Sequence, residues 1–208
     1  MKGLNPQGTH VHSFKQPSAE EQDHDYLWRA NKNLPERGQI GIFNRSYYEE
    51  VLVVKVHDLV KTQQLPKELV NDDIWETRYK QIKNFEKYLS ENGTVIVKLF
   101  LHISKEEQKK RLLERIDDKS KNWKFSTSDL KEREFWDDYQ KCYEDAISET
   151  STKQAPWYII PADKKWYARL VVSEIIAQAL ENLNLKYPDV SKEQTKMLDE
   201  CKQRLLDK

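Results

Sequence analysis

The chain has 208 residues, 38% hydrophobic and 34% charged, which suits one core domain with appendages. Thirty-five basic residues balance 35 acidic ones, so no global field draws the chain to nucleic acid or to a membrane surface, and any polyanion site must be a local basic patch. Only two cysteines occur, Cys142 and Cys201, which argues against a disulfide framework and for a reducing cytoplasm; no apolar run approaches the roughly 18 residues of a membrane span, and the N-terminus lacks a signal-peptide pattern.

In chain order, Gly3 to His10, "GLNPQGTH", reads as a Pro/Gly turn into a first strand over His10–Phe14. It has the glycine spacing of a phosphate loop but not its lysine, and no strand precedes it. Ser18 and Glu21 have capping-box spacing and open a predicted helix through "EEQDHDYLWRANK". Gln39–Phe43 is a short apolar strand, after which Ser46 caps a predicted helix through "YYEEVLVVKVHDLV". In "NDDIWETRYKQIKNFEKYLSENG", Ile74, Trp75, Tyr79, Ile82, Phe85 and Leu89 keep close to helical spacing and Gly93 closes the helix. Thr94–His102 is the third strand, apolar enough for burial on both faces. Ser104 with Glu107 predicts a second capping box before "EEQKKRLLERI". Asp117–Ser128, "DDKSKNWKFSTS", is a polar and basic insertion with Trp123 and Phe125 embedded, of the kind that serves as a functional flap. One long helix through "SDLKEREFWDDYQKCYEDAISET", a fourth strand over Trp157–Ile160, a helix through "DKKWYARLVVSEIIAQALENL" and a charged amphipathic tail helix after Pro188 complete the chain. Strands alternating with helices predict crossover units and a parallel sheet.

Asn44-Arg45-Ser46, at the end of the second strand, changes polarity abruptly. In open α/β sheets, ligands bind beyond the carboxyl ends of the strands. An amide there can orient a phosphate oxygen, and a guanidinium can hold phosphate in a bidentate fork. The plainer alternative is a strand terminator, a solvent-facing arginine and a helix cap. The flap offers the same choice. Lys119, Lys121 and Lys124 surround Trp123, with Arg111, Arg115, Lys131 and Arg133 on the flanking helices, yet Asp117, Asp118, Asp129 and Glu132 lie beside them. Arg29 follows Asp25 by one helical turn, as a helix ion pair or a ligand-binding cation. His10 and His12 alternate on a strand without a carboxylate or cysteine partner at ligand spacing, so no zinc site is expected.

The chain resembles the polyphosphate kinase 2 family over roughly Gly3 to Leu183. The resemblance rests on "GLNPQGTHVHSFKQPSAEEQDHDYLWR", "GQIGIFNRSYYEEVLVVKVH", "KNWKFSTSDLKEREFWDDYQKCYEDAISETST" and "APWYIIPADKKWYARLVVSEII". It implies a P-loop-kinase-like three-layer α/β/α sandwich with a parallel sheet and a helical lid at about 104–135, in a domain over 1–187 with a tail helix over 188–208. It implies phosphoryl transfer, with Mg2+, between inorganic polyphosphate and nucleoside mono-, di- or triphosphates, in a homo-oligomer without nucleic acid or membrane. The Asn form of the strand end resembles the subgroup that phosphorylates both mono- and diphosphates. By the same resemblance Asn44 and Arg45 flank the transferring phosphates, Lys15 and Arg29 line the phosphate and nucleotide path, and Lys121, Lys124 and Arg133 close on the polyanion. Family members carry a first strand and a glycine-rich phosphate loop that this sequence lacks. The expectation is therefore a family member inactive by itself, or alternatively a remnant that binds polyphosphate or pairs with a full-length relative.

Overall fold

The computed structural model describes residues 5–207, so Gly3 and Leu4 of the expected first turn lie outside it. Four strands form: β1 (Thr9–Ser13), β2 (Ile40–Asn44), β3 (Lys98–His102) and β4 (Trp157–Pro161). Each helix is the local answer to its own caps and breaks. Ser18 accepts from the Glu21 amide and Glu21 reaches back, so the first capping box forms. The helix it opens is nevertheless short, α1 (Ala19–Gln22), and the chain re-enters helix only at α2 (Trp28–Lys32). The single helix expected here fails at Asp25, whose carboxylate accepts from the Leu27 amide at 2.9 Å. Short polar side chains compete with helix in this way.

The helix expected after Ser46 is also broken. Tyr47–Val51 is a 3-10 turn, α3 is only Val53–Val56, and Asp58 leaves the right-handed region at φ 51°. Tyr47, Tyr48, Glu50 and Val51 are all buried, which one face of an α-helix cannot arrange for neighbouring positions. By contrast α4 (Ile74–Glu91) forms as its periodicity predicts, and Gly93 closes it at φ 88°. The third strand starts at Lys98 rather than Thr94. Ser104 caps α5 (Lys105–Asp117) by accepting from the Glu107 amide. The reciprocal half of that box is absent, because the Ser104 amide donates to Asp163 at 2.8 Å and Glu107 accepts from Arg111 at 2.8 Å. The long helix expected from Ser128 is interrupted at Phe135, giving α6 (Ser128–Glu134) and α7 (Trp136–Thr150).

β1 and β2 pair in parallel from Thr9↔Ile40 to Ser13↔Asn44, and β3 and β4 from Lys98↔Trp157 to His102↔Pro161. Among the described residues these are two separate two-stranded sheets, not one. Alternation of strands and helices predicts parallel pairing but not which strands become neighbours. Nor is β3 buried on both faces, since Leu101 is 55% exposed. The core gathers Ala30, Tyr47, Tyr48, Val51, Leu52, Tyr79, Ile82, Cys142 and Ala146, with Phe43 of β2 and Trp157 of β4 packed against it. Both sheets therefore rest on the same layer, built from α4, α7 and the 47–56 segment. The chain divides into two compact units, Met1–Ser173 and Glu174–Lys208. Helix α8 (Lys165–Asn182) contains the division, and the second unit carries the tail helix α9 (Lys192–Leu206), opened by a complete Ser191/Gln194 capping box.

Candidate functional site

The carboxyl ends of β1 and β2 bring four of the residues singled out by sequence into one neighbourhood. Asn44 closes β2, and its amide donates to the Ser13 hydroxyl at 3.4 Å. The ladder runs one step further, with the Phe14 amide donating to the Asn44 carbonyl at 3.1 Å. That fixes the start of the Lys15 segment. Arg29, on α2, reaches across and donates to the Lys15 carbonyl at 2.8 Å. Its guanidinium also lies 5.1 Å from the Phe14 ring centroid and 3.8 Å from Glu21. The helix pair expected with Asp25 does not form, because the break between α1 and α2 removes the one-turn spacing. A crevice of about 300 Å³ opens here, lined by His12, Ser13, Lys15, Glu21 and Asn33 among others.

Arg45 has φ 61°, in the left-handed region. A non-glycine residue there is uncommon and costs on the order of 1–3 kcal/mol unless its surroundings demand it. The reversal turns the chain out of β2 at the strand end. Behind it lies Glu49, a half-buried carboxylate that sequence reasoning missed. Burial pushes the Glu49 carboxyl up, and Arg45 and Arg29 pull it back. So Glu49 lies within the field of both cations. The only sequence signal was a carboxylate one turn from Arg45, and that spacing is ordinary.

The flap residues form a second group. Exposed Lys121 is paired with half-exposed Asp118 at 2.6 Å. Lys124 lies 4.9 Å from the ring centroid of Trp123, which is 79% exposed. Arg133 donates to the Lys105 carbonyl at 2.8 Å and to Gln108 at 2.7 Å, which ties α6 to α5. Lys121, Lys124 and Arg133 thus share the α5–α6 hairpin, while Lys15, Arg29, Asn44 and Arg45 share the strand ends. A separate crevice of about 400 Å³ lies where β3 and β4 end, lined by His102, Ser104, Asp163, Lys164 and Tyr167 among others. It is the larger of the two, but the strand-end cations are not part of it.

Beneath the strand ends runs a buried polar network with no periodic signature in sequence. Lys98 donates to Glu86 at 2.7 Å and to the Thr150 carbonyl at 2.9 Å, while Tyr47 and Tyr48 donate to Glu86 at 2.9 and 2.8 Å. Burial lowers the Lys98 pKa, against the pull of Glu86. This network braces the two tyrosines that follow Arg45 and Ser46. Among the described residues no three His, Cys, Asp or Glu side chains gather into a metal site. Those residues therefore offer no three-ligand protein cage for an ion such as Mg2+.

The family profile of polyphosphate kinase 2 matches residues 1–188. An ADP-polyphosphate phosphotransferase of Rhodopseudomonas palustris is 53% identical over 208 residues, 99% of this chain and 72% of that protein. An AMP/ADP-polyphosphate phosphotransferase of Meiothermus ruber is 50% identical over 186 residues, 89% of this chain and 66% of that protein. The crystal structure of polyphosphate kinase 2 from Arthrobacter aurescens TC1 superposes with a TM-score of 0.83 at 45% identity, covering 94% of this chain and 67% of that one. The chain thus spans about two thirds to three quarters of the length of these relatives.

Proposed function

Because this chain belongs to the polyphosphate kinase 2 family, we propose that it serves phosphoryl transfer between inorganic polyphosphate and nucleoside mono- or diphosphates, with the strand-end cations at the reacting phosphates. The observation that carries this reading is Arg45, a strained cation at the carboxyl end of β2 with Arg29 and Lys15 nearby. An oxygen of the acceptor's terminal phosphate attacks the terminal phosphorus of polyphosphate. The bridging P–O bond breaks, and the shortened polyphosphate leaves with the bridging oxygen. Charge spreads over the peripheral oxygens during the exchange, so catalysis is chiefly positioning and charge stabilisation. Arg45 meets that charge, Asn44 orients a phosphate oxygen, and Lys15 and Arg29 hold the flanking phosphates. The flap cations Lys121, Lys124 and Arg133 bind the polyanion outside the reacting centre. Magnesium enters this reading through the family resemblance. The same reading makes the enzyme a cytoplasmic oligomer; two free cysteines fit a reducing compartment.

The 208 residues contain no G-x-x-x-x-G-K-[ST] loop. A second reading, for these 208 residues assayed alone, is a polyphosphate-binding chain without turnover. One experiment separates the two. The chain is incubated with long polyphosphate, magnesium and AMP or ADP, and ATP is assayed, alone and as a chimera carrying the phosphate-loop segment of a longer family member. The chain alone is expected to fall far below the roughly 1–100 per second usual for kinases, and the chimera to recover transfer. A chimera that folds and binds polyphosphate but never transfers would leave only the second reading.

A further inference from the structure

One cluster of titratable side chains stands apart from both groups of cations. The imidazole Nε2 of His57, at the end of α3, lies 2.9 Å from a Glu132 carboxylate oxygen on α6. The Tyr139 hydroxyl, on α7, donates to that same oxygen at 2.7 Å and lies 3.4 Å from His57 Nε2. Phe135 packs its ring against the imidazole, edge to face, at 4.8 Å between centroids. Glu132 is the residue before Arg133, and α6 also carries Lys131.

These contacts join three elements at one carboxylate oxygen. On its other side α6 is held to α5, through Arg133 to Lys105 and Gln108 and through Asp129, 3.8 Å from Arg115. Those bonds fix the hairpin to itself. Among the described residues, the Glu132 hydrogen bonds and the Phe135–His57 ring contact join it to the end of α3 and to α7. Helix α7 also carries Tyr143, whose phenol is pushed up to about 12 by burial and by Glu49, with Arg45 opposing. Tyr139 likewise feels Glu49. Glu49 therefore acts electrostatically on two phenols of α7, one of which, Tyr139, also bonds Glu132.

We infer that His57, Glu132 and Tyr139 are positioning residues that hold α6, and with it Lys131 and Arg133, in place relative to the strand-end cations. The functional half of this inference rests on the phosphate reading above; the positioning half does not. A doubly anchored carboxylate suits the task. It offers one oxygen to two donors from two different elements, so α6 can neither slide along α7 nor rotate without losing both.

The test compares wild-type chain with Glu132→Ala, His57→Ala, the double variant, Tyr139→Phe and the control Glu134→Ala, an exposed carboxylate on the same helix. Backbone amide exchange is followed in α6 and in α4, and labelled polyphosphate is titrated in parallel. His57→Ala is expected to speed α6 exchange by about tenfold, as loss of one charge-assisted hydrogen bond implies, and Glu132→Ala, which loses the Tyr139 bond as well, by at least as much, with α4 unchanged. The double variant should be no worse than Glu132→Ala, because both substitutions remove the same bond. Tyr139→Phe keeps the packing volume and should give a smaller effect in the same direction. Polyphosphate affinity should fall with α6 exchange, variant by variant. Unchanged α6 exchange, additive single effects or an equal effect from Glu134→Ala would each overturn the inference. If α6 loosens as expected while wild type binds no polyphosphate, the positioning stands and the phosphate reading falls.

Discussion

Arg45 combines two features that pull apart under mutation. Its left-handed backbone suits glycine, since a Cβ in that region costs roughly 1–2 kcal/mol. Its guanidinium is proposed to stabilise transferring phosphate. Arg45→Gly should therefore be more stable than Arg45→Ala by about 0.5–1 kcal/mol in urea denaturation, after allowing for the extra chain entropy of glycine. In the chimera both variants should lose transfer by roughly 10³-fold or more, in the range reported for arginines that neutralise transition-state charge. Equal stability of the two variants would mean that the left-handed turn stores no strain. Retained activity would return Arg45 to the solvent-facing reading.

At the scale of elements, the α5–α6 hairpin concentrates cations on a chain of zero net charge. Attraction of a polyanion to exposed lysines is screened beyond about 8 Å at physiological ionic strength. Binding of labelled polyphosphate should thus weaken steeply with salt, and should weaken further in Lys121→Ala/Lys124→Ala/Arg133→Ala. Because Lys121 is already paired with Asp118, most of the loss is expected from Lys124 and Arg133, which single variants would reveal. Equal affinity of wild type and triple variant would make the hairpin a solvated surface. The hold on α6 is also pH-dependent. Burial pushes the Glu132 carboxyl up, but hydrogen bonds from His57 and Tyr139 outweigh it and leave it below its ordinary value of 4.5. A carboxylate depressed in the folded state stabilises above its unfolded pKa, and that contribution is lost as pH falls through the folded value. The stability difference between wild type and Glu132→Gln should therefore be present at neutral pH and be lost in acid, as pH falls through the lowered folded value. The other groups facing this carboxylate are His57 and Tyr139, with Glu49 beyond the phenol. A difference that persists into acid would place its origin outside the ionised carboxylate.

At the scale of the whole molecule, the two sheets expose apolar side chains that a parallel sheet ordinarily covers on both faces. Val11 is 63% exposed and Ile159 57%, whereas Ile82 of α4 is fully buried in the core. Val11→Thr and Ile159→Thr should each change the stability of the 208-residue chain by no more than about 0.5 kcal/mol, as for surface sites. Ile82→Ala should cost about 2–5 kcal/mol. A large cost at Val11 or Ile159 would reveal that a further segment or a second copy covers the sheet in solution.

What the sequence determined by itself is what depends on near neighbours. The α4 periodicity, the Ser18 and Ser104 caps, the Gly93 stop and the four strands are all local patterns, and all have counterparts in the structure. The long specific segments around Asn44-Arg45-Ser46 were enough to point to the family. Tertiary structure decided the rest, because the deciding partners are far apart along the chain. Tyr47 and Tyr48 wind into a 3-10 turn because both must reach Glu86. Lys98 enters an apolar strand as a buried ammonium because Glu86 and Thr150 receive it. Arg29 turns from Asp25 to the Lys15 carbonyl, and Glu132 finds His57 across 75 residues. Burial of a charge is affordable only where such partners converge, and convergence is a property of the folded chain that no window of sequence contains.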